Sequence, residues 1–457
     1  MKLSSGKRGA GLQGALGWAC LILVLLSALA LGGNRLVAWT LLAMALLPLF
    51  AAQIALDLAR GLPDPARRAW GPALLFLPVL AWAIVQTLPL GGSAWAHPAW
   101  ALVPEAPVRI SATPIRGQHH VMRLAAYAMV FWTLLRAACD PVRAWAFLRL
   151  IALWSGALAL YGLAAAAFGV NPILGEGASP VVSASFVNRN SYATYAVFGL
   201  IANLAVFLRV QETSGRADGA RHRRARETIE RFLGGGWLYG AGVLLCLAAL
   251  LATQSRAGAL AGLVAILTFA AVQRGPGAGS RRVAWLAVAA IFGFALVTLA
   301  GGLAARLMAS GAESPRFAIY PRIVEAIRER PLLGHGLGAF RDVFRAHVPP
   351  EAAQADWELA HNSYLENALE LGLPAAGLFY LALLILAGVI LRGALVRRRN
   401  RSFARVALAC LAAAGFHALF DFSLQMPAVA ALFAAILGMG WAQSWPEGGR
   451  RDPDAAG

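Results

Sequence analysis

Long apolar runs, separated by short polar connections, recur along most of the chain. Each run is close to the roughly 20 residues that a helix needs to cross a bilayer. The twelve runs are 15–32, 37–58, 70–90, 121–138, 144–168, 192–208, 237–253, 257–272, 283–303, 373–395, 403–420 and 427–442. The pattern predicts an all-α, polytopic membrane protein with about twelve transmembrane helices. One long polar segment, 304–362, lies between the ninth and tenth helices.

Composition supports this interpretation. The chain is 59% hydrophobic and only 14% charged, and its mean hydropathy is +0.63. Soluble domains are roughly 45 to 50% apolar, so an integral membrane protein is indicated. The net charge of +18 does not indicate nucleic-acid binding, because the arginines are clustered in the connections between apolar runs. The four cysteines have no CxxC spacing, so neither a disulfide framework nor a zinc site is predicted.

Basic residues in alternate connections predict the orientation, because positive residues near span ends are retained in the cytoplasm. Both termini are expected in the cytoplasm, with the first apolar run as a span and not a cleaved signal peptide. The connections on the inner side contain Lys2, Lys7, Arg8, Arg60, Arg67, Arg68, Arg136, Arg143, the 221–231 cluster, Arg274, Arg281, Arg282, Arg397, Arg398, Arg399 and Arg401. The 304–362 segment is then on the outer side.

That outer segment departs from the charge rule. It contains Arg306, Arg316, Arg322, Arg328, Arg330, Arg341 and Arg345. An anionic ligand would explain their retention outside, whereas a solvated helix with Arg328 paired to Glu325 or Glu329 would explain most of them without a ligand. Arg316 and Arg322 are expected to precede that helix, so the second explanation fits them less well.

Two polar stretches on the outer side contain an arginine where a span begins. In "FVNRN", Asn188, Arg189 and Asn190 precede the sixth span, and capping by Asn190 or Ser191 is the alternative to a binding role. Capping does not explain Arg189, since a cation opposes the dipole at a helix N-terminus. In "SRAG", Arg256 lies at the membrane boundary, where it either snorkels to the interface or faces a polar cavity.

A third stretch, "HNSYLENALELGLP", places His361 ahead of a short helix. Ser363 and Glu366 fit a capping box, and Gly372 with Pro374 is expected to interrupt the helix. The positive field of a helix N-terminus favours a neutral imidazole, which is able to accept a proton. A surface histidine without a role is the alternative.

The fourth stretch, "HALFDFSLQMP", places His417 and Asp421 one helical turn apart. Such a pair either neutralises itself inside the bundle or contributes to a site.

In combination, "FVNRN", "SRAG", "RFAIY" leading into "RPLLGHGLGAF", "HNSYLENALELGLPAAGL" and "FDFSLQMPA" resemble the O-antigen ligase and polymerase family. The resemblance covers about 183–428, so 1–182 is interpreted as five N-terminal helices, 183–442 as the catalytic region and 443–457 as a cytoplasmic tail. Tyr320 stands where a tryptophan is frequent. The resemblance implies that His361 is the catalytic base and that Arg256 and Arg316 bind a diphosphate. It places Arg189, Asn188, Asn190, Arg322 and Asp421 in the substrate site.

The implied activity is transfer of a glycan from undecaprenyl diphosphate to an acceptor hydroxyl such as lipid A-core, with inversion and without a metal or other cofactor. The expected location is the bacterial inner membrane, with a periplasmic active site. His335, in the "GHGLG" turn, is an alternative base. A polysaccharide polymerase, a protein O-oligosaccharyltransferase, a lipid-linked sugar transporter and a non-catalytic scaffold remain alternative functions. The near absence of acidic residues from the spans argues against a transporter.

Overall fold

The computed structural model describes residues 2–89, 94–103, 105–177, 181–212, 235–273, 315–353 and 356–446. This part of the chain is helical except for loops and one antiparallel pair of two-residue strands, β1 (Val170–Asn171) and β2 (Glu176–Gly177). The all-α prediction is therefore confirmed for these residues. The predicted ninth span, the basic residues at 221–231 and 274–282, Arg306 and most of the predicted tail lie outside the described residues.

Fifteen α-helices are described, and we number them in chain order. They are α1 (Lys2–Leu26), α2 (Leu36–Arg60), α3 (Asp64–Arg67), α4 (Trp70–Thr87), α5 (Pro114–Ala137), α6 (Pro141–Phe168), α7 (Arg189–Glu212), α8 (Trp237–Ala252), α9 (Arg256–Ala271), α10 (Pro315–Glu329), α11 (Phe340–Phe344), α12 (Ser363–Leu371), α13 (Leu373–Val396), α14 (Arg401–His417) and α15 (Pro427–Gln443).

Five stretches within these helices are long and apolar enough to cross a membrane: Leu36–Arg60, Trp70–Thr87, Pro141–Phe168, Arg189–Gln211 and Leu373–Val396. Four shorter apolar stretches are Gly11–Leu26, Trp237–Ala252, Arg256–Ala271 and Pro427–Gln443. A membrane protein with several spans is thus supported, and the count of twelve stays a prediction. The first apolar run was expected to remain helical to residue 32, but α1 ends at Leu26.

The most buried helices are α7 and α15. Of the α7 span, 78% is buried inside the protein, and α15 is buried on nearly all sides. α15 packs against α5 and α14, and Phe433 of α15 stacks on Phe198 of α7 with ring centroids 5.8 Å apart. A helix that is apolar all round belongs in the core of a bundle. The helix that begins with "RNSY" therefore lies at the centre of the fold.

The described part of the predicted long loop, 315–362, folds into short helices that pack against α12. Its own hydrophobic core includes Ile323, Phe340, Phe344 and Leu369. Arg316 and Arg322 were expected to precede the helix, but this was wrong, since α10 begins at Pro315 and contains both.

The chain breaks between α12 and α13 at Gly372, as predicted from Gly372 and Pro374. Gly372 has a φ of 81°, and a Cβ there would lie 2.4 Å from the Leu332 carbonyl oxygen. Only glycine tolerates this conformation and this approach.

Candidate functional site

The segment before α7 is fixed by the side chain of Asn188. Its Oδ1 accepts hydrogen bonds from the backbone N–H groups of Asn190, at 2.8 Å, and Ser191, at 3.2 Å. Asn188 is therefore the N-cap, and capping by Asn190 or Ser191 was wrong. The Asn190 side chain is left to donate a hydrogen bond to the Asp421 carboxylate.

The second short polar segment precedes α12, which begins at Ser363 as predicted. The capping box was wrong, because the N-cap is Asn362, whose Oδ1 accepts from the N–H groups of the second and third helical residues at 3.0 and 3.1 Å. Ser363 instead donates its hydroxyl to the Asp421 carbonyl oxygen at 3.3 Å. The Glu366 carboxyl accepts from the N–H of Ala360 at 2.8 Å, which fixes the backbone at the residue before His361.

His361 has a left-handed backbone conformation, with a φ of 52°. For a residue other than glycine this conformation costs about 1 to 2 kcal/mol. The Tyr320 hydroxyl donates to the His361 carbonyl oxygen at 3.1 Å. The following peptide group, between Asn362 and Ser363, is also fixed, because the Ser363 N–H donates to the Ala418 carbonyl oxygen at 2.9 Å. Strain that its surroundings hold in place is typical of functional positions.

The imidazole of His361 faces a buried carboxylate. Its Nδ1 lies 3.7 Å from Oδ1 of Asp421, whose side chain has no exposed surface. Asp421 also accepts hydrogen bonds from the Asn190 amide and, at 2.8 Å, from the N–H of Phe422. Burial opposes ionisation, but the neighbouring His361 and His417 imidazoles and the Phe422 N–H hold the pKa of Asp421 below its usual value. A charged carboxylate therefore faces the imidazole.

His417 takes a different partner from the one its spacing suggested. Its Nδ1 lies 3.1 Å from the Ser423 hydroxyl oxygen, and the same hydroxyl lies 3.3 Å from the Asn190 carbonyl oxygen. Asp421 is instead directed towards His361.

Arg189 and Arg256 are the first residues of two helices that pack side by side, α7 and α9. A tight turn joins α8 to α9, and Ser255 caps α9 by accepting from the N–H of Gly258 at 3.1 Å. A Cβ at Gly258 would lie 2.5 Å from Cβ of Ala193, so the first turns of α7 and α9 are in close contact. The two helices thus begin at the same end of the bundle.

Both arginine side chains are exposed at that end. Within the described residues, neither makes an ion pair. Two helix N-termini and two guanidinium groups create a strong positive field, which favours an anion with several oxygens. The structure thus brings Arg189, Arg256, Asn190 and Asp421 to one end of the bundle, through contacts between α7, α9 and the loop after α14.

The other two predicted arginines lie on α10. The Arg322 guanidinium is on the surface, with a hydrogen bond of 2.9 Å to Glu325. Arg316 is in the first turn of α10, but its side chain lies outside the described part of the structure. Its role in diphosphate binding, like the substrate roles of Asn188, Asn190, Arg322 and Asp421, stays a prediction.

A cavity of about 350 Å³ lies in front of His361. It is lined by Asn188, His361, Phe422 and the segment 356–359. The Phe422 ring centroid lies 4.8 Å from that of His361, and the Trp357 ring is perpendicular to the imidazole at 6.1 Å. His361 is thus held between two aromatic rings at the wall of a cavity, 19% exposed.

The alternative base, His335, is not among the residues that line this cavity. Its Nδ1 lies 2.9 Å from Nε2 of His97, and its Nε2 lies 2.8 Å from the Ala326 carbonyl oxygen. The N–H of Ala99 donates to Nδ1 of His97 at 3.1 Å. These contacts form a chain of neutral imidazoles, and burial lowers the pKa of both histidines, that of His97 to about 3. His335 therefore joins loops together, in the turn region that the glycine-rich sequence indicated.

Residues 241–380 match the family model described as O-antigen ligase. The chain therefore contains a segment that is similar to the O-antigen ligase family. The resemblance to the O-antigen ligase and polymerase family is thereby confirmed, and the matched region contains His361, Arg256 and Arg316. Arg189 and Asp421 lie outside it. A comparison with curated proteins gave no match.

Sequence reasoning missed several parts of this candidate site. The N-cap asparagine Asn362, the aromatic walls Trp357 and Phe422, and the Tyr320 hydrogen bond to the His361 carbonyl were not predicted. The only available signal was the stretch "ADWELAHN", which concentrates acidic and aromatic residues directly before His361.

Proposed function

We propose that this protein is a glycosyltransferase of the O-antigen ligase type. It transfers a glycan from an undecaprenyl diphosphate carrier to the hydroxyl of an acceptor such as lipid A-core. The main support is the position of His361, in a cavity wall and facing the buried, charged Asp421, at the end of the bundle where α7 and α9 begin with arginines. A polymerase and a protein O-oligosaccharyltransferase would use the same chemistry with a different acceptor.

In the proposed reaction, an acceptor oxygen attacks the anomeric carbon of the lipid-linked glycan. The new carbon–oxygen bond forms as the bond from that carbon to the diphosphate oxygen breaks, so the configuration at the carbon inverts. His361 takes the hydroxyl proton, a contribution of about 10² to 10⁴ in rate. Asp421 stabilises the resulting imidazolium and fixes its orientation.

The diphosphate leaves with an additional negative charge. Arg256, Arg189 and Arg316 stabilise this charge, because guanidinium groups form paired, charge-assisted hydrogen bonds with phosphate oxygens. The N–H groups at the starts of α7 and α9 contribute in the same direction. The active site is proposed to face the periplasm, from the basic residues in the alternate connections.

The decisive experiment uses the full chain purified in detergent, supplied with an undecaprenyl diphosphate-linked glycan and candidate acceptors. His361→Ala and Arg256→Ala are expected to insert and fold normally but to lose transfer. His347→Ala and Arg328→Ala are matched controls, since neither residue lines the cavity: His347 is partly buried and pairs with Glu329, and Arg328 is exposed on α10. Full activity of His361→Ala would exclude the mechanism. The mass of the product identifies the acceptor class.

A further inference from the structure

The cavity in front of His361 has a chemical character opposite to that of the arginine-bearing helix ends. Among the described residues that line it, none is a lysine or an arginine. Its polar groups besides His361 are the carboxylates of Asp356 and Glu358 and the amide of Asn188. A diphosphate is better placed beside the helix N-termini, so this cavity is suited to a different part of the substrates.

The two carboxylates are accessible from the cavity. Arg341 lies behind both, with Nη1 3.2 Å from Oε1 of Glu358 and Nη2 in contact with Asp356, and Nη2 of Arg345 lies 3.4 Å from Oδ1 of Asp356. The hydrogen bond from Arg341 holds the pKa of Asp356 below its usual value. Both side chains are about half exposed or more, at 49% and 66%. An ionised carboxylate only accepts hydrogen bonds, so a ligand here must offer donors.

The remaining walls are apolar. The indole N–H of Trp357 donates to the Ala352 carbonyl oxygen at 3.0 Å, so the Trp357 ring offers only carbon surface. Phe422 forms a second aromatic wall beside the imidazole. Aromatic surface next to a few fixed polar groups is typical of small-molecule sites, and about 350 Å³ is at the small end of their range.

A sugar ring matches the carboxylates, the aromatic walls and the small volume of this cavity. Its hydroxyls donate hydrogen bonds to carboxylates, its C–H face packs on aromatic rings, and a single ring is small. A phosphate or carboxylate on that ring would approach the carboxylates of Glu358 and Asp356, whose partners Arg341 and Arg345 are not among the described residues that line the cavity. We propose that this cavity is the acceptor subsite and that it takes a neutral or amino-substituted sugar while excluding one that has an anionic group. This inference depends on the proposed function in one respect, namely that the hydroxyl of the acceptor is deprotonated by His361.

The first test measures binding without catalysis. Saturation-transfer NMR on the detergent-purified full chain compares methyl glucoside, its 2-amino counterpart and methyl glucuronide, which differ mainly in charge. The neutral and amino sugars are expected to bind, and the glucuronide at least tenfold more weakly. In Glu358→Gln this discrimination should fall at least threefold, whereas Glu329→Gln, an exposed glutamate on α10, should keep it. Equal binding of the three sugars, or unchanged discrimination in Glu358→Gln, overturns the proposal.

A second test separates this inference from the proposed function. Trp357→Ala should weaken binding of methyl glucoside at least tenfold and leave binding of undecaprenyl diphosphate unchanged, and Trp357→Phe should restore most of the loss. If the sugars bind in the expected order but no glycan is transferred, the proposed function fails and the subsite stands. If glycan is transferred preferentially to anionic acceptors, the subsite proposal fails and the function stands.

Discussion

Replacing Asp421 with asparagine removes one charge from the proposed site and little else. The asparagine Oδ1 can still accept from the Phe422 N–H, which lies 2.8 Å from the present carboxylate oxygen. The Asn190 amide can rotate to present its oxygen to the new amide group. The side chain is fully buried and its volume is unchanged, so we expect the fold to persist.

Loss of the Asp421 charge should lower the rate of transfer strongly. In the proposed reaction His361 becomes an imidazolium, with Nδ1 3.7 Å from the Asp421 carboxylate. Opposite charges at about 4 Å attract by about 4 kcal/mol at an effective dielectric constant of 20. Each 1.36 kcal/mol is a factor of ten in rate, which gives about 10³. Because water reaches the partly exposed imidazole and weakens the attraction, we expect kcat to fall by about 10² to 10³.

The assay is the initial rate of glycan transfer, with kcat and KM measured separately, together with thermal unfolding. kcat should fall and KM should change little, because the charge matters once the proton has moved to His361. Asp342→Asn is the matched control. Asp342 is a partly exposed carboxylate whose oxygen lies 3.2 Å from a guanidinium nitrogen of Arg116, and it does not line the cavity. An Asp421→Asn enzyme within threefold of the wild-type rate would refute the electrostatic role of Asp421.

Three further predictions concern stability. Burial and the nearby Glu370 raise the pKa of Glu366 to about 8, so wild-type stability should fall as pH rises from about 4.5 to 8. Because burial also raises the pKa of Glu370, Glu366→Gln should reduce the slope of thermal stability against pH without abolishing it, and an unchanged slope would contradict the prediction. Burial lowers the pKa of His97 from 6.5 to about 3, so stability should fall as pH drops through that window; His97→Gln should reduce the dependence, as followed by limited proteolysis of the loop. A larger residue at Gly258 must push α7 and α9 apart, so Gly258→Val should lower both the unfolding temperature and the transfer rate, whereas Gly388→Ala, with open space around it, should change neither.

The helical class and the main polar segments were predictable because their signals are local. Apolar runs of membrane-crossing length need no knowledge of partners, and a break at Gly372 follows from the conformations that glycine and proline allow. The four polar stretches could be assigned to one side because the chain crosses back and forth between them. The position of His361 just before a short helix was also predictable from the local sequence, whereas its role as a base is implied only by the family resemblance.

The contacts that complete the site depend on the tertiary structure. Asn188 and Asn362 are residue types that commonly cap helices, but so are residues next to them in the sequence. Local propensity does not decide which of these neighbours is the N-cap. Helical spacing left open whether Asp421 pairs with His417 or contributes to a site, and the structure ends α14 at His417 and places Asp421 beside His361, 60 positions earlier. The helix around Arg316 and Arg322 extended further than expected, because its apolar face packs on the core beneath the loop.

The orientation of His361 depends on both parts of the protein at once. The Tyr320 hydroxyl, from the loop helix α10, binds its carbonyl oxygen, while Asp421, from the transmembrane bundle, faces its imidazole. The proposed donor site lies with the bundle, at the starts of α7 and α9, and the proposed acceptor cavity is lined mainly by the loop. A base held by both is in position only when the loop is packed on the bundle. Loosening that packing should therefore reduce transfer even when binding of the diphosphate is unchanged, because the proton acceptor loses its place beside the donor site.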